Sequence, residues 1–202
     1  MRKLIVTTFV TLDGVMQAPG GPEEDTSGGF THGGWTVPHF DEKVGAFMDA
    51  TMGVPFDLVL GRRTYDIFAS YWPNASEEEG AAPLNAATKY VASRGTPDLS
   101  WERSVLLEPD AVTAIRALKQ EEGRELQVHG SSDLIQTLVT TDLVDEYRVL
   151  VFPVLVGRGK RLYGDGTAPQ GLRLLDSQVS GTGVVMSRYA TEGEARTGTF
   201  GG

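Results

Sequence analysis

The sequence contains no cysteine and no long apolar run. Without cysteine among the 202 residues, disulfides, thiolate nucleophiles and cysteine-bound zinc or iron–sulfur clusters are excluded. Nowhere do about 18 consecutive apolar residues occur, as a membrane-spanning helix requires. The short apolar start, Leu4-Ile5-Val6, predicts a first strand rather than a signal peptide. We therefore expect a cytoplasmic protein that does not span a membrane.

Positive charge is also scarce. Lys and Arg number 18 against 27 Asp and Glu, which gives a formal net charge of −9. Such a surface repels phosphate backbones, so we expect neither nucleic acid nor an anionic membrane as a partner. His32 and His39 are separated by Gly33-Gly34 and Pro38 without metal-ligand regularity, and no metal site is expected.

Short β-rich runs alternate with helical segments, a pattern typical of an α/β fold with a largely parallel sheet. Expected strands cover residues 4–10, 58–60, 89–93, 105–107, 126–129 and 147–151, and expected helices cover 38–51, 64–71, 110–121 and 133–139. Residues 172–179 and 184–190 flank Gly181-Thr182-Gly183, which predicts a C-terminal antiparallel hairpin. We predict one domain over 1–190 and a disordered tail over 191–202.

Two long segments lack periodicity. Residues 17–34 are rich in Gly, Pro, Ser and Thr, and a loop of this length inside a compact domain is usually functional or disordered. Residues 73–83 contain Glu77-Glu78-Glu79 and predict a solvated loop.

Two predicted strand-to-helix junctions suit an anion. They are Gly61-Arg62-Arg63-Thr64 and His129-Gly130-Ser131-Ser132. Free N–H groups at a helix start attract anions, and glycine lets a phosphate approach the main chain. At the end of the intervening strand, Ser93 and Arg94 could clamp an adenosine 2′-phosphate, which favours NADPH over NADH. Taken singly, each of these sites is more easily interpreted as an ordinary turn with surface arginines, and it is their order along the chain that favours a cofactor site.

Neither junction matches the common nucleotide-binding loops, the Rossmann G-x-G-x-x-G and the P-loop. Gly157-Arg158-Gly159 is more easily interpreted as a turn. The ordered series of motifs nevertheless resembles the dihydrofolate reductase-like proteins, a family that includes the reductase domain of riboflavin biosynthesis. The matching motifs are Thr11-Leu12-Asp13-Gly14, Gly61-Arg62-Arg63-Thr64-Tyr65, Val91-Ala92-Ser93-Arg94, Val128-His129-Gly130-Ser131-Ser132, Leu143-Val144-Asp145-Glu146-Tyr147 and the segment from Phe152 to Leu162.

The resemblance implies a three-layer dihydrofolate reductase-like fold and an NADPH-dependent reductase acting on a pterin-like or pyrimidine-like heterocycle. It implies that Arg62, Arg63 and Thr64 bind cofactor phosphate, with Gly61 at the turn. By the same resemblance, Ser93 and Arg94 bind the adenosine ribose side, and Gly130, Ser131 and Ser132 bind the pyrophosphate beside His129. The family commonly has Gly-Gly at this last site, whereas this chain has His129 before a single Gly130.

A reductase also needs a proton donor and a closed pocket. We predict Asp13, Trp35 and Glu42 as catalytic residues. Asp13 could bond a heterocycle or only form a turn with Gly14, and Trp35 could close the pocket or only anchor the loop. Dihydrofolate reductases carry an acid on the helix after the mobile loop, where this chain offers Asp41, Glu42 and Asp49.

Two other classes of function remain open. The chain could bind a nucleotide or heterocycle without turnover, if no acid reaches the reacting end of the pocket. It could instead mainly self-associate through the apolar stretch 147–154 and the segment 157–162. A homodimer is compatible with the enzyme as well.

Overall fold

The computed structural model describes residues 1–201 and contains one eight-stranded sheet. The strands are β1 (Leu4–Thr11), β2 (Phe56–Gly61), β3 (Lys89–Ala92), β4 (Ser104–Leu106), β5 (Glu125–Val128), β6 (Glu146–Phe152), β7 (Leu172–Val179) and β8 (Val185–Thr191). The helices are α1 (Glu42–Met52), α2 (Arg62–Tyr71), α3 (Ala81–Ala86), α4 (Ala111–Gln120) and α5 (Ser132–Thr140). None of the described helices is both long and apolar enough to cross a membrane.

The strand order is β4-β3-β2-β5-β1-β6-β8-β7. The first six strands in this order, from β4 across to β6, pair in parallel with their neighbours. Strand β8 pairs with β6 and with β7 in antiparallel fashion. This confirms the predicted parallel sheet and its C-terminal hairpin. Thr191 still belongs to β8. The disorder predicted for the rest of the tail stays a prediction, and its last position, 202, lies outside the described residues.

Helices cover both faces of the sheet, as predicted. Along β2, Val59 packs in a cluster with residues of α4 and α5. Its neighbours Leu58 and Leu60 pack in another cluster with Tyr65 of α2 and Leu84 of α3. Because successive strand residues point to opposite faces, the two clusters lie on opposite sides of the sheet.

The first helix begins later than predicted. Residues 37–39 form a separate 3-10 turn, and Phe40 is extended, so the helix cannot run through from Pro38. Asp41 is the N-cap of α1, where its carboxylate accepts hydrogen bonds from the backbone N–H groups of Lys43 and Val44. The cap places Glu42 as the first helical residue.

The predicted loop 73–83 is partly helical. A 3-10 turn at Glu77–Glu79 ends at Gly80 in the left-handed conformation, and α3 begins directly after it. Ala81 and Leu84 of α3 are buried, and Leu84 packs with Leu58 and Leu60 of β2. This tertiary packing, rather than local periodicity, makes the segment helical.

The stretch 147–154 is not a free interface. Strand β6, which supplies most of it, lies inside the sheet between β1 and β8. Tyr147, Leu150 and Phe152 are buried in the core of the same chain. The alternative of self-association through this strand is therefore wrong, because its apolar residues serve the fold.

Candidate active site

A cleft of about 2070 Å³ opens at the carboxyl ends of β2, β3 and β5 and continues between α1 and α2. Open α/β sheets bind ligands at the carboxyl ends of their strands. Pockets for drug-sized ligands typically measure about 300–1,000 Å³, so this cleft has room for a dinucleotide and a second small molecule. We call the part around Gly61–Thr64, Ser93–Arg94 and His129–Ser132 the strand-end half, and the part between α1 and α2 the helix half.

The two glycine junctions meet in the strand-end half. The Gly61 backbone N–H donates a hydrogen bond of 2.7 Å to Ser131 Oγ. A Cβ atom on Gly130 would lie 3.5 Å from Thr64 Cγ2. Gly130 also has a φ of +108°, a conformation that favours glycine. The starts of α2 and α5 are therefore adjacent, and their first N–H groups border one cleft.

Ser93 and Arg94 line the same half of the cleft. They follow β3, which lies beside β2 in the sheet. Arg94 is exposed and, among residues 1–201, has no carboxylate within ion-pairing distance. Its guanidinium is thus available to an anionic group of a ligand.

The arginines of the first junction are already paired. Arg62 bonds to Asp66 one turn later in α2 with an N–O distance of 2.8 Å. Arg63 reaches Asp25 of the long loop at 2.9 Å. A phosphate at this junction would compete with these carboxylates, so the backbone N–H groups are its more readily available partners.

Asp25 holds the long loop over the strand-end half. Its carboxylate also accepts a hydrogen bond of 2.6 Å from Lys160 Nζ. The Gln17 side-chain amide donates to the carbonyls of Asp25 and Ser27. Burial raises the pKa of Asp25, but the hydrogen bonds from Lys160 and Ser27 outweigh it and leave the pKa below its usual value. The Asp25 carboxylate therefore stays charged at neutral pH and keeps its ion pairs with Arg63 and Lys160.

The helix half is apolar and acidic. Its lining includes Phe40, Met48 and Met52 on the α1 side and Phe68, Tyr71 and Trp72 on the α2 side. Asp49 lies among them, one residue after Met48 and exposed to the cleft. Apolar walls suit a planar ring, and a carboxyl group beside them can bond its polar edge.

The three residues predicted as catalytic do not line the cleft. The carboxylate of Asp13 accepts hydrogen bonds from Thr11 Oγ1 and from the backbone N–H groups of Val156 and Gly157. The Thr11 hydrogen bond is the main reason that the pKa of Asp13 is lowered. Asp13 thus joins the turn after β1 to the segment after β6.

Trp35 and Glu42 are also placed away from the cleft lining. Trp35 is buried, packs edge-on against Phe152 and donates from Nε1 to the Gln17 carbonyl at 2.8 Å. It anchors the end of the long loop in the core. Glu42 is exposed in the first turn of α1, a position where a carboxylate favours the helix dipole.

His129 belongs to the strand-end half of the cleft. Its Nε2 atom is 2.6 Å from Gln127 Oε1, and its ring lies against Phe56. Burial, and next the positive charge of Arg148, lower the pKa of His129 to about 4. The imidazole is therefore neutral at physiological pH and does not serve as a charged proton donor.

Sequence reasoning missed several residues of the cleft. Thr7, Gln17, Asp25 and Lys160 all line it. The sequence offers Asp49 as one of three acids near this helix, and its helical spacing from Gly45 and Met52 is the signal that places the three residues on one face. Within residues 1–201, no three His, Asp or Glu side chains are grouped to hold a metal ion.

Comparison with known proteins gives consistent matches over nearly the whole chain. The model of the RibD C-terminal domain family matches residues 2–186. The uncharacterized protein YyaP of Bacillus subtilis (strain 168) is 25% identical over 197 residues, which cover 95% of this chain and 96% of YyaP.

Two solved structures share the fold. A protein from Shewanella sp. PV-4, named for riboflavin biosynthesis, aligns with a TM-score of 0.67 and 22% identity over 94% of this chain and 99% of its own. Dihydrofolate reductase from Enterococcus faecalis, solved with NADP(H), aligns with a TM-score of 0.59 and 15% identity over 94% and 96%. At these identities the likeness shows the fold alone.

Proposed function

The chain belongs to the RibD C-terminal domain family, and on that premise we propose that it is a cytoplasmic reductase that transfers a hydride from NADPH to a small planar heterocycle. The observation that carries this proposal is the convergence of three strand ends, those of β2, β3 and β5, on one cleft. The cofactor bound by the dihydrofolate reductase of the same fold supports a nicotinamide nucleotide.

We assign the strand-end half to the phosphates of the cofactor. The first N–H groups of α2 and α5, with Thr64 and Ser132, would hold the pyrophosphate. Arg94, which is free of carboxylates in the described chain, would hold the 2′-phosphate that distinguishes NADPH from NADH. Ser93 would bond the same ribose side.

We assign the helix half to the substrate ring. When bound, the reduced nicotinamide supplies a hydride to the carbon of a C=N or C=O group, and the nitrogen or oxygen then needs a proton. Glu77, Glu78 and Glu79 also line the cleft, and Glu79 is bonded to Tyr71, whereas Asp49 is the acid that α1 contributes. We assign delivery of that proton to Asp49. The aromatic and methionine side chains of α1 and α2 would exclude water from the ring.

Asp49 also favours a reductase over a protein that only binds its ligand. A binding protein needs no acid at the reacting end of the cleft, whereas proton transfer does. Asp13 and Glu42 lie outside the lining, so without Asp49 the cleft would offer no carboxyl group on the α1 side.

We further propose that the enzyme is a homodimer formed through β7, the strand at the sheet edge. Leu174 and Val179 are each 52% exposed on this strand, and its outer edge presents free backbone groups. Arg173 and Asp176 give this strand both charges, which suits pairing of two antiparallel copies, although a bulge between Leu174 and Asp176 interrupts the regular register. Measuring the molar mass of wild type and of Leu174→Lys in solution tests this, since a dimer should dissociate in the variant.

Titration with NADPH and with NADH tests the main proposal. We expect nicotinamide fluorescence or calorimetry to show tighter binding of NADPH. Arg94→Ala should weaken NADPH binding about 10-fold and leave NADH binding unchanged, because only NADPH carries the 2′-phosphate. Arg158→Ala, which removes an exposed arginine outside the cleft, is the matched control. A wild-type protein that ignores both nucleotides at millimolar concentration would contradict the proposal.

A further inference from the structure

A buried hydroxyl without a partner lies on the floor of the cleft. Thr7 of β1 is 2% exposed, and among residues 1–201 its Oγ1 atom has no hydrogen-bond partner. Thr7 also lines the cleft. Buried polar groups are nearly always paired, because an unpaired one loses its hydration without compensation. The unpaired hydroxyl therefore points to a ligand.

His129 is the neighbour of Thr7 on the adjacent strand. Val6 of β1 pairs in register with Val128 of β5, and Thr7 and His129 are the next residues on the two strands. Residues one step beyond a registered pair lie on the same face of a parallel sheet. The Nδ1 atom of His129 also makes no hydrogen bond within the described residues, but unlike Thr7 Oγ1 it is not fully buried.

A chain of hydrogen bonds fixes which nitrogen of His129 carries the proton. Gln127 Nε2 donates to the Glu125 carboxylate at 2.5 Å and to the Thr51 carbonyl at 3.2 Å. Both partners are acceptors, so the other end of the amide must be the oxygen. That oxygen, 2.6 Å from His129 Nε2, accepts the Nε2 proton and leaves Nδ1 as a bare acceptor.

The chain continues to a buried ion pair. Arg148 Nη1 donates to Glu125 at 3.1 Å and also pairs with Glu146. Arg148 fixes the position of the Glu125 carboxylate, which in turn holds the orientation of Gln127. The imidazole stays neutral because burial and Arg148 lower the pKa of His129 to about 4.

We propose that Thr7 and His129 form a recognition site for an amide edge, in which His129 Nδ1 accepts from a ligand N–H and the Thr7 hydroxyl donates to the adjacent C=O. Two ligands of the proposed reductase carry this chemistry, the carboxamide of the nicotinamide and a lactam of the heterocycle. The identity of the ligand thus rests on the proposed function, but the pairing of donor and acceptor does not.

The test combines two variants with two pairs of ligands. His129→Phe removes the acceptor and keeps an aromatic ring, and Thr7→Val removes the hydroxyl and keeps the shape. His32→Phe, in the exposed part of the long loop, is the control. NADPH is compared with reduced 3-acetylpyridine adenine dinucleotide phosphate, which has a methyl group in place of the amide nitrogen. Uracil is compared with 1,3-dimethyluracil, which has no N–H.

If the carboxamide occupies the site, His129→Phe should weaken NADPH binding about 3- to 10-fold and change binding of the acetylpyridine analogue little, as expected for one hydrogen bond. Thr7→Val should weaken both nucleotides, because both keep the C=O group. If the lactam occupies the site, the same selective loss should appear for uracil against its dimethyl derivative, even in a protein that binds no nucleotide. This second arm separates failure of the inference from failure of the proposed cofactor.

Nitrogen NMR of the His129 ring gives a readout independent of affinity. We expect the Nε2–H tautomer in the free protein and a shift of Nδ1 toward a hydrogen-bonded value with the amide-bearing ligand only. Gln127→Leu should remove the preference of the His129 ring for the Nε2–H tautomer, while leaving Thr7 in place. Equal losses for both members of each ligand pair, or an Nδ1 signal that responds to neither ligand, would overturn the proposal.

Discussion

The two halves of the cleft are built from different parts of the chain. The strand-end half relies on main-chain groups: two helix starts, Gly61 and Gly130, with a few cations at the rim. The helix half relies on side chains of α1 and α2, and its floor is supported by the buried ion pairs of Arg148. Main-chain sites tolerate substitution of neighbouring side chains, whereas side-chain sites do not. We therefore expect mutations to affect the halves unequally.

The largest expected effect is on turnover in the helix half. Asp49→Asn removes the only acid that we assign to proton delivery, and general acid catalysis typically contributes about 10²- to 10⁴-fold. We expect kcat to fall by this amount once a substrate is found, while the Kd for NADPH stays within about two-fold. Steady-state kinetics and a cofactor titration on the same sample measure both.

Glu42→Gln is the matched control for Asp49→Asn. It changes another carboxylate of α1, but one that is exposed and outside the cleft lining. Turnover that falls with Glu42→Gln and not with Asp49→Asn would return the acid role to Glu42, as the sequence predicts, and would remove the functional difference between the two faces of α1.

The next largest effect concerns stability. Arg148→Met leaves Glu125 without its cation and leaves Glu146, whose side chain is only 4% exposed, with Arg188 alone. Removing one member of a buried ion pair typically costs about 3–5 kcal/mol. Urea unfolding should show this loss for Arg148→Met. Arg158→Met, at an exposed arginine, should stay within about 0.5 kcal/mol of wild type.

The pH dependence of stability should report the same ion pairs. Burial raises the pKa of Glu146, but the hydrogen bonds and charges of Arg148 and Arg188 outweigh it, so the pKa is lowered. Because a depressed carboxyl pKa stabilises the folded state above the unfolded value of 4.5, this stability should be lost as the pH falls through the folded pKa. Arg148→Met should flatten this part of the profile, and an unchanged acid limb would contradict the role given to Arg148.

A smaller effect is expected where the long loop crosses the strand-end half. Asp25→Asn weakens the contacts to Arg63 and Lys160, and hydrogen bonds to charged groups contribute about 1.5–3 kcal/mol. We expect faster hydrogen exchange in residues 17–34 and little change elsewhere. Arg62→Gln, which breaks only the exposed pair with Asp66, is the control. Uniformly faster exchange in the whole protein would show that the Asp25 contacts stabilise the whole fold and not the long loop alone.

Local sequence patterns are sufficient to predict the sheet and the two glycine junctions of the strand-end half. The two junctions are each a strand, a glycine and a helix start within a few residues, so their geometry follows from neighbours in sequence. That they meet follows from parallel pairing of β2 and β5, which places the carboxyl ends of both strands at one edge. The same reasoning could not identify α3, because burial of Leu84 depends on residues that are distant in sequence.

The helix half and its floor depend on contacts far apart in sequence. Glu125, Arg148 and Glu146 look like ordinary charged strand residues, yet they pair across β5 and β6 inside the protein. Likewise, the orientation of α1 decides whether Glu42 or Asp49 lines the cleft, and that orientation is set by packing of Val44 and Phe47. Neither arrangement has a signature that a single sequence displays.

The smallest effect is expected for a substitution of Asp13. It tests whether this residue acts on the substrate or only anchors a turn. The sequence predicts that Asp13 acts on the substrate, whereas its carboxylate accepts backbone hydrogen bonds from Val156 and Gly157, residues that do not line the cleft. Asp13→Asn keeps the side-chain oxygen that can accept one of these bonds. If Asp13 only anchors the turn, kcat should change less than about two-fold, and stability should fall by about 1 kcal/mol, the net contribution of one hydrogen bond. A large fall in kcat without a loss of stability would instead support the catalytic role and would extend the chemistry beyond the helix half.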